Sequence, residues 1–201
     1  MESLANSDVE QMKHFLCLMK ETLPPSHPPL IMSVGSTPTV FSLSSDHGLP
    51  SVLEMHPGNY TFFDRQQLWT GACTDKKSVA CRVLARVIGH YEDRNTIMLD
   101  AGATALTKDL TPQGGYAEVD GYPQLECYRL SQEVMLLRPK DATQRCPFEV
   151  MDIGSPVFLI PNHSCLAAAC FDRYYIVDDD SKEFSLDQEV VEEWVPVKGW
   201  Q

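Results

Sequence analysis

Val9, Met12, Phe15, Leu16 and Met19 recur at helical spacing. Ahead of the run, Ser7-Asp8-Val9-Glu10 has the form of a capping box, with Ser7 as N-cap and Glu10 reaching back. The pattern predicts one amphipathic helix. Pro24-Pro25 ends it and Pro28-Pro29 stiffens the connector, because proline cannot donate to a helical ladder. Leu30 to Val34 is a short apolar run that empties into Gly35-Ser36-Thr37-Pro38-Thr39, a buried strand and its exit loop. Val52 to His56 repeats the arrangement, with Pro57-Gly58-Asn59-Tyr60 as the exit. Helix, strand, loop, strand, loop is the rhythm of an α/β segment.

Beyond Trp69 the pattern changes. Val79, Cys81, Val83, Ala85 and Val87 alternate with more polar neighbours, Glu92-Asp93-Arg94-Asn95 reads as a turn, and Thr96 to Leu99 returns as a hairpin partner. Further strands are expected at Leu125 to Leu130, Val134 to Leu137, Val157 to Ile160 and Tyr174 to Val177, punctuated by Gly114-Gly115, Gly121, Pro139 and Gly154. This half has the strand spacing of a small barrel or sandwich. The expected fold class is therefore α/β plus β: residues 1–68 as a partial β/α unit, and 69–201 as a mostly antiparallel β-domain. Two strands cannot close a sheet, so the first unit is expected to need further strands from elsewhere. Asp178-Asp179-Asp180 and Glu192-Glu193 read as solvated runs.

Charge narrows the functional classes. Lys plus Arg number 16 against 28 Asp plus Glu, a net charge of −12. No cation cluster is present to meet phosphates, so no nucleic-acid partner is expected, nor docking on anionic membranes. The hydrophobic fraction of 43% is that of a globular chain. Glu2 and Asp8 stand where a secretory signal has a basic region, and the seven irregularly spaced cysteines point to reduced thiols in the cytoplasm. Cys17, Cys73, Cys81, Cys127 and Cys146 lie in apolar or strand segments and are expected to be buried.

Two features carry candidate chemistry. The Ser36, Thr37 and Thr39 hydroxyls after Gly35 suit a phosphate, since glycine admits close backbone approach and hydroxyls and amides supply neutral donors. Alone, such a turn is as well explained by local structure. The second loop, at Gly58 and Asn59, also follows a strand directly, and paired strand-exit loops build phosphate sites in (β/α) barrels. Tyr60 and Asp64 also suit packing and capping, and His56 a satisfied core position. The other feature is Pro161-Asn162-His163-Ser164-Cys165. On extended backbone, His163 and Cys165 face one side and can converge on a metal, with imidazole plus thiolate favouring zinc. A buried thiol beside a capped histidine is the plainer alternative. Cys170 is a possible third ligand, although Phe171 beside it suggests a core thiol; Leu166 to Ala169 should begin a tightly packed segment.

The stretches SVGSTPT, EMHPGNYTFFD, LDAGATALTKD, GGYAEVDGYP and IPNHSC, in that order, resemble the D-serine dehydratase family, a branch of the alanine-racemase-like, fold-type III pyridoxal phosphate enzymes. The resemblance is weakest over residues 1–29. It implies that residues 1–68 are the closing end of an alanine-racemase-like (β/α)8 barrel and that a β-domain follows. It implies that Ser36, Thr37, Thr39, Gly58, Asn59 and Tyr60 bind the cofactor, pyridoxal 5'-phosphate. It also implies that His163 and Cys165 hold Zn2+. The implied activity is elimination of water from D-serine, yielding pyruvate and ammonia, in a homodimer. The similar D-threonine aldolases carry Asp at the position of Cys165, so the thiolate favours the dehydratase; aldolase-like cleavage of β-hydroxy D-amino acids and a non-catalytic zinc-binding module are the alternatives. The family's Schiff-base lysine falls upstream of these motifs, and Lys13 and Lys20 lie on the predicted helix. The resemblance thus covers the C-terminal portion, and the 201 residues are expected neither to turn over D-serine nor to fold by themselves.

Overall fold

The computed structural model describes residues 2–42, 53–178 and 185–197. Helix α1 (Glu2–Thr22) is the predicted amphipathic helix, begun well over a turn earlier than the capping box suggested. Ser7 lies inside it and accepts a hydrogen bond from Gln11 Nε2 at 3.3 Å. The good helix formers Glu2, Leu4 and Ala5 carry the helix past the Ser7 signal. Of the apolar stripe, Val9 is buried, whereas Phe15 is 62% exposed.

Strands β1 (Met32–Val34) and β2 (Leu53–Met55) pair in parallel, Met32 opposite Leu53. Val52 lies outside the described residues. The first exit loop is shorter than expected, because α2 (Thr37–Ser42) begins within it. Pro38 is tolerated there, since amides of a first turn have no helical acceptor. After β2 come a 3-10 turn (Gly58–Thr61) and α3 (Arg65–Thr70), and the boundary expected at 68/69 falls inside that helix.

The rest is dominated by one antiparallel sheet. Its strands are β3 (Val83–Tyr91), β4 (Thr96–Leu99), β5 (Ala117–Val119), β6 (Leu125–Leu130), β7 (Met135–Pro139) and β8 (Pro156–Pro161). They lie in the order β5-β8-β3-β4-β7-β6. The outer strands approach each other, and Tyr116 N donates to the Cys127 carbonyl at 3.0 Å, so the sheet nearly closes and little edge is left open. Alternate residues of β3, Val83, Ala85 and Val87, point inward and meet Leu99, Met135 and Leu159 in the core. The strands predicted at 96–99, 125–130 and 174–177 have the predicted limits.

Two short helices, α4 (Ala103–Leu106) and α5 (Ser164–Ala169), flank the sheet. A separate hairpin pairs β9 (Tyr174–Val177) with β10 (Val190–Trp194). Sequence reading missed β10: its residues are all exposed, so Glu192 and Glu193 broke the expected alternation. Asp178 is exposed, while Asp179 and Asp180 lie outside the described residues. Cys73, Cys127 and Cys146 are buried and Cys81 partly so, but Cys17 and Cys170 are exposed, contrary to expectation. Cys17 lies on the solvent side of α1, and Cys170 ends α5, where the chain leaves the packed Ala167 and Ala168. No helix among the described residues is long and apolar enough to cross a membrane.

Candidate functional site

The site is organised by Asp64, a fully buried carboxylate. It caps α3 as the sequence allowed, its Oδ1 accepting from Gln67 N at 2.8 Å. Its Oδ2 accepts from Asn59 Nδ2 and, at 2.8 Å, from Ser164 N. A buried carboxylate needs such donors to offset the water it has lost. Asp64 thereby ties the exit loop of β2 to the first residue of α5.

A second set of bonds runs alongside. Asn59 N donates to Thr37 Oγ1 at 3.0 Å, and Asn59 Oδ1 accepts from Ser164 Oγ. Thr37 opens α2, and Ser164 stands between His163 and Cys165. The two loops expected to cradle a phosphate and the His-x-Cys element are thus parts of one hydrogen-bonded unit.

Within the loops the residues divide. The Asn59 side chain is committed to Asp64 and Ser164, which makes it part of the frame. Ser36 Oγ and Thr39 Oγ1 lie 3.0 Å apart at the start of α2, and Thr39 also donates to Asp8 Oδ2 at 3.3 Å. A Cβ placed on Gly35 or Gly58 would meet nothing within 4 Å, so the space before both loops is open. Tyr60, next to Asn59, is 53% exposed. His56 is also exposed, with Nε2 bonded to Ser33 Oγ, and is not a core histidine.

His163 and Cys165 do come together, for a reason other than the one expected. The chain is extended only to His163 (φ −136°, ψ 97°), which is the N-cap of α5, and Cys165 lies in its first turn. The hydrogen bond from the ring to the Cys165 side chain is the largest influence on the imidazole. Partial burial opposes it, the Asp109 carboxylate adds to it, and the pKa of His163 rises to about 9. His163 Nδ1 lies 2.8 Å from Asp109 Oδ2. By contrast, burial pushes the thiols of Cys81 and Cys127 up to about 11 and about 12, which leaves them unreactive.

The wall behind the pair was not foreseen. Asn162 Nδ2 donates to the carbonyls of Asp109 at 2.7 Å and Gly115 at 2.9 Å, while its Oδ1 accepts from Arg65. Arg65 also reaches the Gly114 carbonyl at 3.3 Å. Desolvation lowers the pKa of this guanidinium, with Glu118, 3.8 Å away, acting in the opposite sense. Asn162 and Ser164 flank His163 in sequence and were available as hints. Asp109 and Arg65, 54 and 97 positions from their partners His163 and Asn162, were not.

As donors, an imidazole and a thiol suit zinc or another borderline-soft ion. Among the described residues no third histidine, cysteine or carboxylate completes a three-ligand cluster. A metal held here by protein through two ligands keeps positions for other oxygen ligands. The open loops with paired hydroxyls likewise fit a phosphate monoester.

Residues 80–177 match the family described as "Putative serine dehydratase domain". Over those residues the chain is similar to that family. It is 36% identical over 182 residues to the D-serine dehydratase of Schizosaccharomyces pombe, covering 85% of this chain and 41% of that protein. The solved D-threo-3-hydroxyaspartate dehydratase of Delftia sp. superposes with a TM-score of 0.75 at 28% identity, over 100% of this chain and 53% of that one. That enzyme is also known as variants in which a histidine or a cysteine two positions further on is replaced by alanine, the cysteine variant in a metal-free form. An alanine racemase-like protein from Idiomarina loihiensis gives a TM-score of 0.72 at 27% identity, over 100% of this chain and 52% of that chain. The chain therefore spans about half, or somewhat less, of the length of the relatives it matches, and it shares the fold of alanine racemase-like proteins.

Proposed function

We propose that this chain supplies the metal-binding and phosphate-binding side of a dehydratase that removes water from D-serine, giving pyruvate and ammonia. The observation that carries the proposal is the bonded run Thr37–Asn59–Ser164, which seats the phosphate-type loops and the His163–Cys165 pair on one frame. The relatives named dehydratases support the reaction type, and the Delftia enzyme's histidine and cysteine have the same spacing as His163 and Cys165.

In this reading Ser36 and Thr39 turn their hydroxyls from each other to the phosphate of pyridoxal 5'-phosphate, and Thr37 holds the second loop by its backbone. Gly58 keeps the approach clear. Tyr60, exposed beside the loop, forms an edge contact of the cofactor. When bound, pyridoxal phosphate supplies an electron sink for the α-carbanion, and zinc supplies a Lewis acid for the departing β-hydroxyl. His163 and Cys165 hold the zinc, and Asp64 keeps their helix at a fixed separation from the phosphate loops. The homodimer and the cytoplasm belong to the same reading, through the resemblance and the thiol-rich sequence.

The test is a chimera in which these residues replace the matching part of the S. pombe enzyme. Pyruvate release from D-serine, lost on Cys165→Ala, is the expected result. A folded, cofactor-loaded chimera that releases no pyruvate, or that instead cleaves D-threonine to glycine and aldehyde, overturns the assignment.

A further inference from the structure

The loop between α4 and β5 is bonded to Asn162 and His163, beside Cys165. Thr107 begins it with a φ of 67°, in a region a β-branched residue adopts only under strain, and its buried hydroxyl lacks a protein partner. Gly114 and Gly115 end it, both with positive φ. Between these points the loop meets residues 162 and 163 twice. The Asp109 carbonyl accepts from Asn162 at 2.7 Å, and the Asp109 carboxylate lies 2.8 Å from His163 Nδ1. One residue is thus gripped at its backbone and at its side chain by two consecutive residues of the other element. Arg65 in turn fixes Asn162.

An imidazole has two nitrogens, and the partner of one decides which is left for a metal. We propose that Asp109 is a positioning residue that engages His163 through Nδ1, so that Nε2 is the nitrogen presented to the metal. The proposal rests on the assignment of His163 and Cys165 as the metal pair. Strain at Thr107 is then the cost of bringing a carboxylate to that ring from a distant loop.

The experiment measures Zn2+ affinity of the full chain by competition with a chromophoric chelator, and the thiolate charge-transfer band of the Co2+ form. Variants are Asp109→Ala, Asp109→Asn, His163→Ala and Cys165→Ala. Asp109→Ala is expected to lose about 10–100-fold in affinity and to alter the Co2+ band with no matching loss in Tm. Asp109→Asn keeps an acceptor for Nδ1–H and is expected to fall between wild type and alanine; it carries the test if the alanine variant does not fold. Loss of affinity in the His163 and Cys165 variants, with both Asp109 variants equal to wild type, overturns the proposal alone. If the His163 and Cys165 variants also bind like wild type, the metal pair itself is wrong.

Discussion

The nearly closed sheet and the segment before it solve the burial problem in opposite ways. In the sheet, Ile97, Leu99, Met135, Leu137 and Leu159 are wholly excluded from water. In the segment of α1, β1, α2 and β2, Phe15, Ile31 and Phe41 are each more than half exposed, and Val9 and Met32 are its buried apolar residues among those described. Apolar burial is what stabilises a fold most, so the sheet holds itself together, whereas the segment is secured where polar bonds reach it: Asn59 and Thr37 through Asp64 and Ser164. The segment contributes groups to the site; the sheet contributes rigidity.

The sharpest way to break this contrast is a pair of truncations. Leu137→Ala should cost about 2–5 kcal/mol of unfolding free energy, because it empties a closed core. Phe15→Ala should stay within about 0.5 kcal/mol, since its ring is already largely in water. Urea titration followed by tryptophan fluorescence measures both. Similar costs would show that α1 shares the core of the sheet.

A smaller effect is expected where backbone meets backbone. A Cβ on Gly102 would lie 2.1 Å from the Gln132 carbonyl oxygen, where no flexible side chain can yield. Gly102 starts α4 and leads to the strained loop that carries Asp109. Gly102→Ala should therefore cost about 1–3 kcal/mol and loosen that loop. Hydrogen exchange should show the amides of Ala103 and Thr104, which donate to Ser131 and Gln132, losing protection first. Unchanged protection there would mean that the loop does not depend on this close approach.

The same contrast explains what could be read from the chain. Strands with one buried face announce themselves by alternation, so 125–130 was legible to the residue, while 174–177 was legible as a run of aromatic and β-branched residues. The loops and the His-x-Cys pair were visible as chemistry. Their union was not, because it depends on Asp64 meeting Ser164 across 100 positions and Asn59 meeting it across 105. Short polar bonds between distant residues leave no periodic trace. The pair itself was found through a wrong premise: extended backbone was assumed up to Cys165, and the turn of α5 brings the side chains together instead.

The sheet's own margin carries a group that titrates. Asp120, just past β5, accepts from Arg82 Nε at 2.8 Å and from Lys76 Nζ at 3.3 Å. Burial opposes its ionisation, but the hydrogen bonds and charges of Arg82 and Lys76 prevail, and its pKa is lowered. A carboxylate with a depressed folded-state pKa stabilises the fold above its unfolded value of about 4 and ceases to do so as pH falls through the folded value. Asp120→Asn should thus lower stability by about 1–2 kcal/mol at pH 7, with the difference from wild type shrinking below about pH 4. Denaturation curves at pH 7 and pH 3 would test this; a constant difference would mean that the charge of Asp120 is not what matters.

The smallest expected effect on stability is the most informative about the loops. Gly58 needs no left-handed backbone, and its added Cβ meets nothing within 4 Å, so Gly58→Ala should change unfolding by no more than about 0.5 kcal/mol. The space it fills is the approach to the β2 exit loop. If that space admits a phosphate, the chimera carrying Gly58→Ala should hold pyridoxal phosphate more weakly while melting at the same temperature. If instead the variant melts lower and binds the cofactor as before, the glycine serves the turn and the phosphate approaches elsewhere. Because the substitution leaves the Thr37–Asn59–Ser164 run untouched, either outcome separates the frame of the site from the groups it presents.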